Sequence, residues 1–438
     1  MVVRLCFGGL IGPGWQNGRM TDTPVPAVEL RITISDTEPA IWRQLVLPES
    51  ATLEDLHEAI QAAFGWNNAH LYVFYGTEPS GRRRAIGVLD DDSPEGAESA
   101  GEVGLIELFN PASPGESAFE YEYDFGDSWT HQIDVIGTVE LTAVTILCTG
   151  GSMRGPVEDS GGVHGYANVA RVIGDPNHPE HRDAVFWFET VTGEKATGFD
   201  PSAFDLEGVN TALDRLARRL WAKPPSPEDM NEVLEPLLWL LRESDPDGLD
   251  LTSAGWLKPG IIKRMMTDLK WDDDWFGTGR NEVNIPHVMD LREQLQRWKL
   301  LRKYKGKLLL TPLGRRVVEE PAALWEFLAD RLASPDTPAD EVVMRLLVHW
   351  ELTGTEPGWM MIDEVVRSEL TFRGFVMTEG NGGIPLNLAR DLYLDVRRPL
   401  GLLALWGSRM RRGPEPKLSD AGIKFLLDVQ RRLDASQR

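Results

Sequence analysis

A glycine-rich run behind two strand-like segments constrains this chain more than any other feature. It reads Cys148-Thr-Gly-Gly-Ser-Met-Arg-Gly-Pro-Val-Glu-Asp-Ser-Gly-Gly-Val-His-Gly-Tyr166. Glycine reaches backbone angles that other residues resist, so the run is expected to form a shaped loop rather than part of a core. Before it, apolar and polar residues alternate from Phe119 to Phe125 and from His131 to Val135 around Gly126, the period of two half-buried strands. Loops held by such a scaffold often carry function.

Asp124, Asp127, His131, Cys148, Arg154, Glu158 and Asp159 all fall in this stretch. They are residue types used as metal ligands, general acids and bases or, for arginine, anion contacts. If the loop folds back over the strand pair, several of them converge. The spacing selects no chemistry, since there is no CxxC and no HExxH, and His178-Pro-Glu-His181 is a weak His-x-x-His match beside prolines. Gly150 to Gly155 has the glycine separation of a phosphate loop, but Pro156 and Val157 stand where Lys and Ser or Thr are required. The competing reading is structural: Asp127 and Asp159 accept backbone N–H bonds in turns, and Cys148 packs as a small apolar residue. No cofactor is expected, a bound metal being the alternative to a structural loop.

Around this stretch the chain reads as α+β. Val28 to Ile34 and Ile41 to Leu47 form an expected hairpin, and Thr52-Leu-Glu-Asp55 opens a helix over 53–64 with Leu53, Leu56, Ile60 and Phe64 on one face. A third strand follows at His70 to Tyr75. Residues 76–118, rich in Gly, Pro, Ser and acids, are expected to be a long exposed insertion with one short helix. Helices are expected at Ala167 to Ile173 and Leu206 to Leu220. Residues 1–26 read as a disordered leader, with Met20 an alternative translation start.

The hairpin with Ile41-Trp42-Arg43, the segment Phe64-Gly-Trp-Asn-Asn-Ala-His70-Leu, the run Tyr123-Asp-Phe-Gly-Asp127-Ser-Trp-Thr-His131, and the residues from Cys148 through Pro156, Glu158-Asp159 and Gly161-Gly162 to Tyr166 occur in this order. Together they resemble the plasmid pRiA4b Orf3-like family over residues 27–208. That resemblance implies an α+β domain, a bacterial source near mobile elements, and no established biochemical activity. Pro156-Val157-Glu158-Asp159 departs from the family's usual Pro-Pro-Glu-Asp.

Lys223-Pro-Pro-Ser-Pro227 marks the expected boundary between an α+β domain at 27–222 and a mostly helical region at 228–438. In that region a helix over Pro286 to Trp298 leads into Leu300-Leu-Arg-Lys-Tyr-Lys-Gly-Lys-Leu-Leu-Leu-Thr-Pro-Leu-Gly314. A related order recurs from Leu400 to Trp406 and from Lys417-Leu-Ser-Asp-Ala-Gly422 into a terminal helix. The reading is two winged-helix-like units, about 228–335 and 336–438. Their wings carry Lys299, Arg302, Lys303, Lys305 and Lys307 in the first and Arg409, Arg411 and Arg412 in the second.

Charge bears on what these wings can meet. The chain has a net charge of −23, with 15 Lys and Arg against 34 Asp and Glu in residues 1–225 and 30 against 34 in residues 226–438. General polyanion binding by the whole chain is disfavoured, while nucleic acid remains an expected partner class for the C-terminal region beside a protein partner. Only Cys6 and Cys148 are present and no apolar run approaches a membrane span, which fits a cytoplasmic protein. The leading functional expectation is a non-catalytic binding or protein-interaction module. The rival from another class is a metal- or thiol-dependent enzyme built on Asp127, His131, Cys148 and Glu158.

Overall fold

The computed structural model describes residues 3–4, 24–77, 83–88, 97–108, 118–271, 281–359, 361–376, 383–406 and 417–436. The chain divides into two compact units, Met1–Trp221 and Ala222–Arg438.

The first unit is a mixed sheet with helices. Its elements are β1 (Val3–Arg4), β2 (Val25–Ile34), β3 (Trp42–Pro48), α1 (Leu53–Phe64), β4 (Tyr72–Thr77), β5 (Arg83–Gly87), β6 (Glu98–Ser99), β7 (Ala118–Tyr123), β8 (Trp129–Leu141), β9 (Leu147–Ser152), α2 (Gly162–Ile173), α3 (His181–Thr192) and α4 (Leu206–Leu220). Eight strands run in the order β6-β5-β4-β7-β8-β2-β3-β9, and β1 pairs parallel with β8 at Val139 and Glu140. Alternation decides which face is covered: Val28, Leu30, Ile32 and Ile34 of β2 and Trp129, His131, Ile133 and Val135 of β8 are all buried. Helix α1 starts at a capping box between Thr52 and Asp55 and ends at left-handed Gly65. Its buried residues Leu53, Leu56, Ile60 and Phe64 join the same core.

Three expectations are corrected. The described parts of 76–118 supply the edge strands β5 and β6 and a short 3-10 helix at Leu105–Leu108, with Ile86, Ala100, Val103 and Leu105 buried. The acidic stretch Asp90 to Asp92 lies outside the described residues, as does most of the expected leader. The glycine-rich run is only partly a loop. Its first glycines belong to β9, where a Cβ on Gly151 would lie 2.5 Å from the Phe204 ring, and α2 begins at Gly162 rather than at Ala167.

The second unit is mostly helical with a small sheet. In order it contains α5 (Pro227–Glu243), β10 (Leu249–Asp250), α6 (Pro259–Asp268), α7 (Pro286–Arg297), β11 (Leu301–Tyr304), β12 (Lys307–Leu310), α8 (Pro312–Glu319), α9 (Pro321–Ala333), α10 (Pro338–Thr353), α11 (Ile362–Phe372), α12 (Leu386–Leu400) and α13 (Asp420–Ala435). The sheet order is β10-β12-β11. Helix, strand, two helices and a hairpin is the succession of a winged helix, here closed by α8. The second half repeats the three helices, and a bridge between Trp406 and Leu418 precedes α13. Arg409, Arg411 and Arg412 fall outside the described residues. No helix among the described residues is long and apolar enough to cross a membrane.

Candidate functional site

The segment between α1 and β4 has no regular structure of its own, and side chains from remote parts of the unit hold it. The Trp66 indole donates to the Pro156 carbonyl at 2.8 Å, and Asn67 N–H donates to Glu158 Oε2 at 2.8 Å. Ala69 N–H donates to the Tyr123 hydroxyl at 3.0 Å, and that hydroxyl donates to Glu158 Oε1. Asn68, left-handed at φ 56°, has its N–H on Gln61 Oε1. Its side chain accepts from His57 Nε2 at 2.7 Å, and His57 Nδ1 in turn accepts from the Tyr121 hydroxyl at 2.7 Å. Every backbone donor from Asn67 to Ala69 thus has a partner, which is what a partly buried irregular segment requires. Burial pushes the Tyr121 and Tyr123 hydroxyls well up from their ordinary value, so both stay protonated as donors.

The strapped segment sets His70 against two carboxylates from different loops. His70 Nε2 lies 3.1 Å from Asp159 Oδ1 and 3.6 Å from Asp124 Oδ2. Asp124 and Asp159 are both left-handed, at φ 57° and 56°, a conformation Asp tolerates better than most residues. The other Asp124 oxygen accepts from Gly126 N–H at 3.0 Å, which fixes the turn between β7 and β8. Asp127 accepts from Gly161 N–H at 2.9 Å and so ties that turn to the start of α2.

Beside His70 opens a cleft of about 350 Å³, lined among others by Glu54, His57, Glu58, Leu71, Tyr72 and Val88. Glu58 is ion-paired with Arg219, while Leu71 and Val88 are 46% and 51% exposed. His57 forms part of the wall, stacked on Tyr72 at 3.5 Å, and burial lowers its pKa to about 4.

The remaining expected site residues are engaged separately. His131 is fully buried against Phe64, Trp66 and Tyr121, with Nδ1 donating to the Trp129 carbonyl at 2.9 Å and Nε2 without a partner; burial lowers its pKa to about 4. The Cys148 thiol donates to the Gly150 carbonyl, and burial raises its pKa, the opposite of an activated nucleophile. Arg154 pairs with Glu194 at 2.7 Å near the rings of Phe188 and Phe199. Glu158 is buried and accepts from the Tyr123 hydroxyl and Asn67 N–H, one on each oxygen. Asp127, His131, Cys148 and Glu158 therefore form no common centre. Among the described residues the group whose ligand atoms all lie within 4.8 Å of one another is His70, Asp124 and Asp159. His70, Glu54 and Glu58 were not singled out by the sequence; His70 does stand in the Phe64 to Leu71 motif, which was the available signal.

A nine-stranded mixed sheet with a side-chain-strapped loop, followed by a mostly helical unit with a small three-stranded sheet, defines an α+β protein. Residues 26–208 match the family described as plasmid pRiA4b ORF-3-like protein, and the chain belongs to that family. Residues 231–323 match a second description, Y4jL N-terminal domain. The chain is 32% identical over 202 residues to the uncharacterized protein y4hQ of Sinorhizobium fredii (strain NBRC 101917 / NGR234), which covers 45% of this chain and 94% of that protein. It is also similar to the crystal structure of the protein of unknown function MM3350 from Methanosarcina mazei Go1. That match has 32% sequence identity and a TM-score of 0.37, and covers 42% of this chain and 98% of that one.

Proposed function

We propose that the first unit is a non-catalytic binding module that takes a basic, partly apolar segment of a partner protein in the cleft beside His70. The observation that carries this reading is the wall of the cleft: Glu54 and the Asp124 and Asp159 carboxylates beside His70 offer negative charge next to exposed Leu71 and Val88. A volume near 350 Å³ suits one or two side chains rather than a large cofactor. The net −19 of residues 1–225 favours encounter with basic segments. The test is an array of short peptides pairing Lys or Arg with Leu, probed with the full chain and with a Glu54→Lys, Leu71→Asp variant. Binding to the basic-apolar peptides is expected to be lost in the variant; equal binding by both, or a preference for acidic peptides, refutes the reading.

A second reading has its own observation. His70 Nε2 is sealed from solvent and makes no hydrogen bond, although two carboxylate oxygens lie within 3.6 Å of it. Ligand atoms so close yet not bonded to each other suit a shared divalent cation, of the manganese or zinc type that accepts imidazole and carboxylate. Calorimetry with Mn²⁺ and Zn²⁺ on wild type and on Asp159→Asn decides it: heat that vanishes in the variant supports the ion, and no heat in wild type removes it.

A further inference from the structure

We propose that the hairpin of β11 and β12, with the end of α7, contacts the phosphate backbone of double-stranded DNA without reading bases. Arg297, Lys299, Arg302 and Lys305 are exposed, and among the described residues none of the four has an ion pair. Their neighbours are occupied: Lys307 donates to the Asp247 carbonyl at 3.0 Å and lies 3.9 Å from Asp250, and Lys303 folds over the Trp256 ring at 5.8 Å. Alternation along β11 separates the two sets, placing Arg302 and Tyr304 on the face opposite Leu301 and Lys303. At the tip Lys305 and Gly306 are both left-handed, at φ 47° and 76°, the pairing of a two-residue hairpin turn of the primed type. The turn holds Tyr304, 49% exposed, between Arg302 at 5.3 Å and Lys305 at 5.2 Å.

This arrangement matches a phosphate chain. The guanidinium fork fits phosphate oxygens, and a tyrosine hydroxyl is a common backbone contact. No acid lies between Arg297 and Lys307 to compete for the cations. Helix α7 carries Asp290 and Glu293 among its partly exposed residues, and its Arg292 is buried on Glu282. A helix so charged is repelled from a groove, so affinity comes from the hairpin and is independent of sequence.

The experiment is fluorescence anisotropy of the full chain with labelled duplexes of two unrelated sequences. With four phosphate contacts, affinity should fall about 100-fold between about 50 and 200 mM salt and be equal for both duplexes. The variant Lys299→Glu, Arg302→Glu, Lys305→Glu should lose at least about 30-fold at low salt and most of the salt slope. The single neutral change Lys305→Gln, which adds no repulsion and leaves the fold intact, should lower the slope by about 1. A control with the same charge change elsewhere, Lys195→Glu, Arg331→Glu, Arg373→Glu, should bind like wild type. No binding by wild type at low salt, equal loss in the control, discrimination between the duplexes, or retention on polyglutamate but not on DNA each overturns the proposal.

Discussion

Replacing His131 with Phe should remove about half of the acid sensitivity of the first unit. His57 and His131 are both buried, and both have folded pKa values near 4 because burial penalises the imidazolium. The unfolded chain titrates each near 6.5, so between those values the unfolded state binds more protons and stability rises with pH. The contribution is complete above about pH 6.5 and is lost as pH falls toward 4. At pH 5 each histidine should have forfeited about 2 kcal/mol, about 4 kcal/mol together. Phe at 131 removes one titrating group and the partnerless Nε2 while keeping a ring against Phe64, Trp66 and Tyr121. The lost Nδ1–H bond to Trp129 costs about 1 kcal/mol, partly offset by relief of the orphaned nitrogen. Hydrogen exchange of peptides from β7 and β8, read by mass spectrometry in the full chain at pH 5 and 7.5, reports this unit alone. Opening free energies should drop by about 4 kcal/mol on acidification in wild type and about 2 kcal/mol in the variant. An equal drop in both proteins would show that His131 is not held neutral by its cage.

Gly155→Ala should destabilise the first unit by about 2–4 kcal/mol, because an added Cβ would sit 1.9 Å from the Phe64 carbonyl oxygen; thermal melting measures it. Glu282→Gln should cost about 3 kcal/mol by removing the buried charge partner of Arg292 and leaving it only the partly exposed Glu293 at 3.3 Å. The double change Glu282→Leu, Arg292→Met should recover most of that loss in the same urea titration. Limited proteolysis is expected to cut at 222–228, where the proline-rich junction extends the chain, and to leave two folded fragments on a gel; a protected junction would refute the domain division.

How much could be read from the chain depends on how local each determinant is. Helix α1 was legible because Thr52, Asp55 and the apolar spacing lie within one short stretch. Strands β7 and β8 were legible from alternation alone. Strands β5 and β6 were not: short edge strands amid acids and prolines have too few residues to show a period, and their burial comes from neighbours. The cleft was hidden for a different reason. Asn67 meets Glu158 across 91 residues and Trp66 meets Pro156 across 90, so the strap that places His70 exists only after the sheet has formed. His131 and Cys148 drew notice by residue type, but type says nothing about access, and both side chains are buried.

The repeat in the second unit shows the opposite case, in which a weak sequence echo corresponds to the same atomic contacts. Ser226-Pro-Glu-Asp229 and Thr337-Pro-Ala-Asp340 both form capping boxes with proline in the first turn, opening α5 and α10. After each hairpin or bridge, the helix again starts in one way. Thr311 caps Gly314 N–H and Ser419 caps Gly422 N–H, both at 3.0 Å. The backbone N–H of each cap residue donates to the carbonyl of Leu300 or Leu405. A Cβ on either glycine would lie 2.2 Å from that same carbonyl oxygen. Glycine is therefore needed at both positions by a close helix-to-strand approach rather than by an unusual backbone angle. Two places that share cap, donor and close approach are two copies of one supersecondary unit.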